Sequence, residues 1–231
     1  MPVVWHPSPN FGPRRDGLSP TLIVLHFTAM RSAGAALERL CDPSVEVSAH
    51  YLIGGDGTVW QMVQEQDRAW HAGAGEWGGV TDINSRSIGI ELDNRGDHPF
   101  SELQMAALED LMPGILERWA IRPSGVIAHS DMAPGRKHDP GGRFDWQRLA
   151  RQGLAVWPEP VAGGPVGARQ FRGLAQDVGF TADVDAMTLL ESVRLRFRPW
   201  GQGPLCAADM AALAGLVQAF STDGIDRPHN S

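Results

Sequence analysis

Residues Thr21–Phe27 read TLIVLHF, a largely apolar run, β-branched at Thr21, Ile23 and Val24, with an imidazole near its end at His26. Its hydrophobicity is continuous rather than alternating. That pattern predicts a short strand buried on both faces, as in a sheet with parallel strands covered by helices. Working outward, Ser87–Leu92 (SIGIEL) and Gly125–Ala128 (GVIA) repeat the pattern. Ser48–Ile53 and Thr58–Val63 flank Gly54-Gly55-Asp56-Gly57 and read as a hairpin. Helices are predicted at Ser32–Leu40 and Ser101–Ala120. In the second, Ser101 and Gln104 have capping-box spacing, and Leu108, Leu111, Ile115 and Trp119 recur on one face. Pro113 is expected to kink or divide that helix. Strands interleaved with helices predict an α/β (α+β) domain, a mixed central sheet flanked by helices.

The segment 157–168 (WPEPVAGGPVGA) is dense in proline and glycine and reads as a linker. It separates a domain at 1–156 from a small helical domain at 169–231. Three helices are expected there, at Arg169–Val178, Val184–Phe197 and Ala207–Phe220. A segment this small buries little core alone and should lean on the larger domain. The basic run Arg194, Arg196 and Arg198 reads as a helix end carrying charge that suits the helix dipole.

Of the 231 residues, 42% are hydrophobic and 20% charged, which excludes wholesale disorder. The net charge is −7 with no basic block, so nucleic acid is not an expected partner. No apolar run approaches the roughly 18 residues of a membrane span. The N-terminus has no basic stretch followed by an apolar core, which favours the cytoplasm. A periplasmic or envelope location is the alternative if a natural leader has been trimmed. Cys41 and Cys206 form no motif and are expected to be reduced, so any metal site must use histidine and carboxylate. The oligomeric state is not readable.

His26 closes the first buried strand, and His129 stands at the tip of the strand ending at Ala128. The loop after it, within AHSDMAPGRKHDPG (128–141), is constrained by proline and glycine and carries Lys137, His138 and Asp139. Folded back, it would bring Asp139 to His129. Two imidazoles and one carboxylate leave a tetrahedral zinc with an open position, as a catalytic site requires. Glu91 interrupts an otherwise apolar strand, where a carboxylate is costly unless used; it is the candidate general base. Lys137 is the candidate oxyanion partner.

The segments IVLHFT, SAHYLIGGDGTVWQMV, AWHAG, NSRSIGIELDN and AHSDMAPGRKHDPG together resemble the zinc-dependent N-acetylmuramoyl-L-alanine amidase family, from about Ser8 to Trp146. The longer, AmiD-like branch with a small C-terminal domain is the most similar, and residues 169–231 resemble its peptidoglycan-binding-like module more loosely. The resemblance implies zinc ligands His26, His129 and Asp139, a catalytic Glu91 and a Lys137 beside them. It implies hydrolysis of the amide between N-acetylmuramic acid, or its 1,6-anhydro form, and L-alanine in peptidoglycan fragments (muropeptides). His138 stands where the family carries a small residue, and is expected to point away from the metal. His71, Asn84 and Arg86 are expected to contact substrate, and His50 to make a structural hydrogen bond. The alternatives are a non-catalytic peptidoglycan-binding module and a zinc peptidase cutting within the stem peptide.

Overall fold

The computed structural model describes residues 2–222; residues 223–231 of the expected helical domain, and Met1, lie outside the described residues. In chain order the elements are β1 (Val3–Trp5), β2 (Phe11–Pro13), β3 (Leu22–Phe27), α1 (Ala33–Cys41), β4 (Tyr51–Ile53), β5 (Val59–Gln61), β6 (Asp67–Ala69), α2 (Ile83–Arg86), β7 (Ser87–Leu92), α3 (Glu102–Trp119), β8 (Val126–Ala128), α4 (His129–Met132), α5 (Trp146–Arg151), α6 (Ala168–Val178), α7 (Ala186–Phe197) and α8 (Ala207–Thr222). Among the described residues no helix is long and apolar enough to cross a membrane.

The main sheet has the order β1-β5-β4-β7-β3-β8. Only the β4–β5 hairpin pair is antiparallel; the other neighbours run parallel. β3 and β7 are adjacent interior strands, buried on both faces, which is why their sequences are largely apolar. Alternation divides their side chains between two layers. Ile23, Leu25, Ile88, Ile90 and Leu92 pack with Met105, Leu108, Met112 and Ile115 of α3 and with Trp146 and Leu149 of α5. Leu22 and Val24 face the other way. They share a cluster with Ile127 and with Phe171, Phe180, Val193, Phe197 and Leu213 from the C-terminal helices. α1 covers that same side further along, through Ala36 and Leu40 against Leu52 and Met62.

Of the two outcomes expected at Pro113, division does not occur: α3 runs through it as one helix. Its buried residues on both sides of the proline hold the two halves on one apolar surface. The capping box is only half made: the Ser101 hydroxyl accepts from the Gln104 amide at 3.1 Å. The Gln104 side chain instead donates to the Ile53 carbonyl at 2.8 Å, tying α3 to the sheet. The strands β1 (VVW), β2 (FGP) and β6 (DRA) have three residues each, too few to show a period in the sequence.

The basic run does end α7, as expected, with Arg194 and Arg196 in its last turn. Arg194 and Arg196 are buried, and their partners are Asp209 and Asp131. A buried guanidinium needs a carboxylate and carbonyls around it, and each of these has both. The segment between α5 and α6 has no regular structure, yet Val161 donates to the Ala211 carbonyl at 3.3 Å, so part of it lies along α8.

Candidate metal centre

The register of the adjacent interior strands β3 and β7 pairs His26 with Glu91. Paired residues on adjacent strands point to the same face, so imidazole and carboxyl stand side by side at the C-terminal edge of parallel strands. β8 pairs with β3 so that Ala128 lies opposite Leu25, and the chain turns there directly into His129. The Ser130 amide donates to the Asp139 carbonyl at 3.1 Å, closing the loop and returning Asp139 to His129.

Three side-chain atoms converge. His26 Nδ1 and His129 Nδ1 are 2.9 Å apart. Asp139 Oδ2 is 3.0 Å from each of them. All three residues are buried, and among the described residues they are the group of histidine, cysteine and acidic side chains close enough to hold one metal ion.

The surroundings decide which ring nitrogen carries each proton. The Ser87 hydroxyl donates to the Ile83 carbonyl at 2.6 Å, so its oxygen accepts from His71 Nε2 at 3.1 Å. His71 Nδ1 is then an acceptor, and His26 Nε2 donates to it at 3.0 Å. His129 Nε2 donates to the Ala72 carbonyl at 2.9 Å. Both imidazoles therefore present the bare Nδ1 lone pair to Asp139. Three acceptors facing one another without a donor repel unless a cation lies among them. Two nitrogens and one carboxylate oxygen are a donor set suited to zinc, whose tetrahedral ligands stand roughly 3.3 Å apart. The residues fit that metal.

The electrostatics agree. Burial lowers the His26 pKa to about 4, so the ring stays neutral. Glu91 behaves oppositely. Burial, and then the Asp139 charge, lifts its pKa from 4.5 to about 8, with Lys137 opposing. Its Oε2 is enclosed and has no hydrogen-bond partner. The group opens on a cleft of about 560 Å³ whose walls include Glu91, Lys137, Met30, Trp70, Arg39 and Arg136.

The remaining candidates separate. His71 lines the cleft, but its ring nitrogens are used by His26 and Ser87, so it orients a ligand rather than reaching for substrate. It lies over Gly89 of β7, where a Cβ would overlap the ring. Asn84 is buried and accepts from the His71 and Ala72 amides at 3.0 and 2.8 Å; it supports the His71 loop from below. Arg86 ends α2, at the opposite end of β7 from Glu91. Neither Asn84 nor Arg86 lines the cleft. His138 is exposed, with its ring 6.2 Å from that of Phe27, outside the ligand group. His50 accepts from the Gly89 amide at 3.0 Å and donates to the Asp67 carbonyl at 3.1 Å; burial lowers its pKa to about 3. Sequence reasoning missed Ser87 and Arg136. Arg136 donates to the Ala72 carbonyl at 2.7 Å, beside His129. Neither carries a local signal, because their role depends on a fold contact.

Residues 16–142, more than half of the chain, match the family profile described as N-acetylmuramoyl-L-alanine amidase. The chain is 43% identical over 154 residues to the N-acetylmuramoyl-L-alanine amidase AmiD of Escherichia coli (strain K12), 60% of this chain and 55% of that protein. It thus spans just over half the length of that relative. It is 33% identical over 159 residues to the 1,6-anhydro-N-acetylmuramyl-L-alanine amidase AmpD of Haemophilus influenzae, 61% of this chain and 86% of that protein. A solved structure of E. coli AmiD, in complex with the substrate anhydro-N-acetylmuramic acid-L-Ala-D-gamma-Glu-L-Lys, superposes with a TM-score of 0.79 at 32% identity. The match covers 90% of this chain and 91% of that one.

Proposed function

The chain belongs to the N-acetylmuramoyl-L-alanine amidase family, and from that premise we propose that it hydrolyses the amide joining N-acetylmuramic acid, or its 1,6-anhydro form, to L-alanine in soluble peptidoglycan fragments. The observation that carries the reading is the convergence of His26, His129 and Asp139 beside the partnerless Glu91 carboxyl, at the floor of an open cleft. The AmiD relative is solved in complex with an anhydro-muramoyl peptide, which supports that substrate class for this chain.

Zinc is the metal proposed, held by His26 Nδ1, His129 Nδ1 and Asp139 Oδ2. When bound it supplies a Lewis acid that polarises the scissile carbonyl and lowers the pKa of a water to near 7. Glu91 accepts the proton of the attacking water as the carbon–oxygen bond forms. It then delivers that proton to the L-alanine nitrogen as the carbon–nitrogen bond breaks. A carboxyl raised above the normal range suits both halves of this cycle. A divalent charge nearby draws it back down, so the loaded site should titrate between the ordinary 4.5 and the about 8 of the metal-free cleft. The Lys137 ammonium offsets the charge that develops on the carbonyl oxygen.

The test is to offer the zinc-loaded chain anhydro-N-acetylmuramyl tripeptide, the reducing muramyl peptide and intact sacculi, and to identify products by mass. Release of peptides beginning with L-alanine supports the reading. Cleavage within the stem peptide, or binding without cleavage, overturns it.

A further inference from the structure

The C-terminal helices touch the candidate centre through one helix face. On α7, Thr188, Ser192 and Arg196 recur at i, i+4 and i+8 and so share a face, with Pro199 just beyond the helix end. That face lies along residues 126–142, the segment that carries His129, Lys137 and Asp139. The Ser192 hydroxyl donates to the Ser130 carbonyl at 2.6 Å. Arg196 pairs with Asp131, and its second amino group donates to the Val126 carbonyl at 2.9 Å. The backbone approaches closely at both ends: a Cβ on Gly135 would stand 2.8 Å from Thr188, and one on Gly142 2.8 Å from Pro199.

Arg196 and Asp131 are both buried, and the guanidinium carbon lies 4.4 Å from the centre of the Trp146 ring. Asp131 also accepts from the Ala128 amide at 2.8 Å, bracing the turn from β8 into His129. Ser130 links the two ligands, since its amide meets the Asp139 carbonyl and its carbonyl meets Ser192. The residues flanking His129 are thus anchored to a helix more than fifty positions away.

We propose that α7 is a splint for the ligand-bearing segment, and that Arg196 is a positioning residue holding His129 and Asp139 at the spacing a metal ion requires. On this view the C-terminal helices are part of the metal site rather than an independent adhesive module. The inference rests on the metal reading given above.

The test uses the full chain and zinc itself, with affinity read by competition against a chromophoric chelator. Two variants each remove one arginine of an ion pair from the same helix, Asp209 keeping Arg198 as a second partner. R196M cuts the tie to Asp131, whereas R194M cuts the tie to Asp209 on α8, away from the ligand segment. Partners that orient metal ligands typically cost about 10- to 100-fold in affinity when removed. R196M should weaken zinc by that factor, and R194M should keep wild-type affinity although it lowers the melting temperature. R196K, which keeps the charge but not the forked geometry, should fall between wild type and R196M. Equal zinc affinity in R196M and R194M overturns the proposal. Should R196M not fold, S192A decides: it removes only the hydroxyl on Ser130, and unchanged affinity in it is equally fatal. A wild-type chain that takes up no zinc refutes the metal reading itself, an outcome separate from any variant difference.

Discussion

Replacing Glu91 with glutamine should make the metal-free protein more stable as it makes the enzyme inactive, and the gain should grow with pH. Burial and the neighbouring Asp139 raise the Glu91 pKa from 4.5 to about 8. Between those values the unfolded chain has lost a proton that the folded chain still holds. The native state therefore binds more protons, and wild-type stability falls as pH rises through that window. Glutamine has no such linkage. At pH 5 the Glu91 proton accounts for about 1 kcal/mol, and at pH 7 for about 3 kcal/mol, so the advantage of E91Q should grow by about 2 kcal/mol. That is a ceiling, because water at the cleft mouth screens part of the charge. For a chain of this size it corresponds to roughly 4–8 °C in melting temperature. The assay is thermal unfolding of chelator-stripped wild type and E91Q at several pH values from 5 to 8. Any fixed difference between a buried amide and a buried acid cancels when the two pH limits are compared. A gap that stays constant across the range would refute the argument, since it would mean that Glu91 titrates alike in the folded and unfolded chains.

K137A should lower kcat about 100- to 1000-fold, the usual loss for an oxyanion partner, with zinc content unchanged; steady-state kinetics with metal analysis decides. H71F should weaken zinc by about 10- to 100-fold, because His26 Nε2 loses the acceptor that fixes its tautomer; chelator competition reads this directly. R86A should leave KM unaltered, since the residue lies at the far end of β7 from Glu91; a rise in KM for muramyl peptides would contradict that placement.

Several features of this protein were readable from the chain alone, because each depends on neighbours in sequence. Continuous apolar runs ending in His26 and preceding His129 marked strand tips. An acid between Ile90 and Leu92 marked Glu91. Proline and glycine around Lys137 and Asp139 marked a loop able to turn back. The structure brings these five residues into one cleft. Other features had no local signature, because contacts between distant elements decide them. Asn84 reads as a substrate contact in the sequence, yet its side-chain oxygen accepts from two backbone amides. His71 looked like a substrate contact, yet Ser87 and His26 occupy both its nitrogens. Arg196 reads as charge at a helix end, and only the fold supplies Asp131 and the Val126 carbonyl that draw it into the interior. Hydrophobic period and turn chemistry act over a few residues and can therefore be read along the chain. Proton positions, ion-pair partners and the spacing of ligands are set by groups dozens of residues apart, so only the packed molecule decides them.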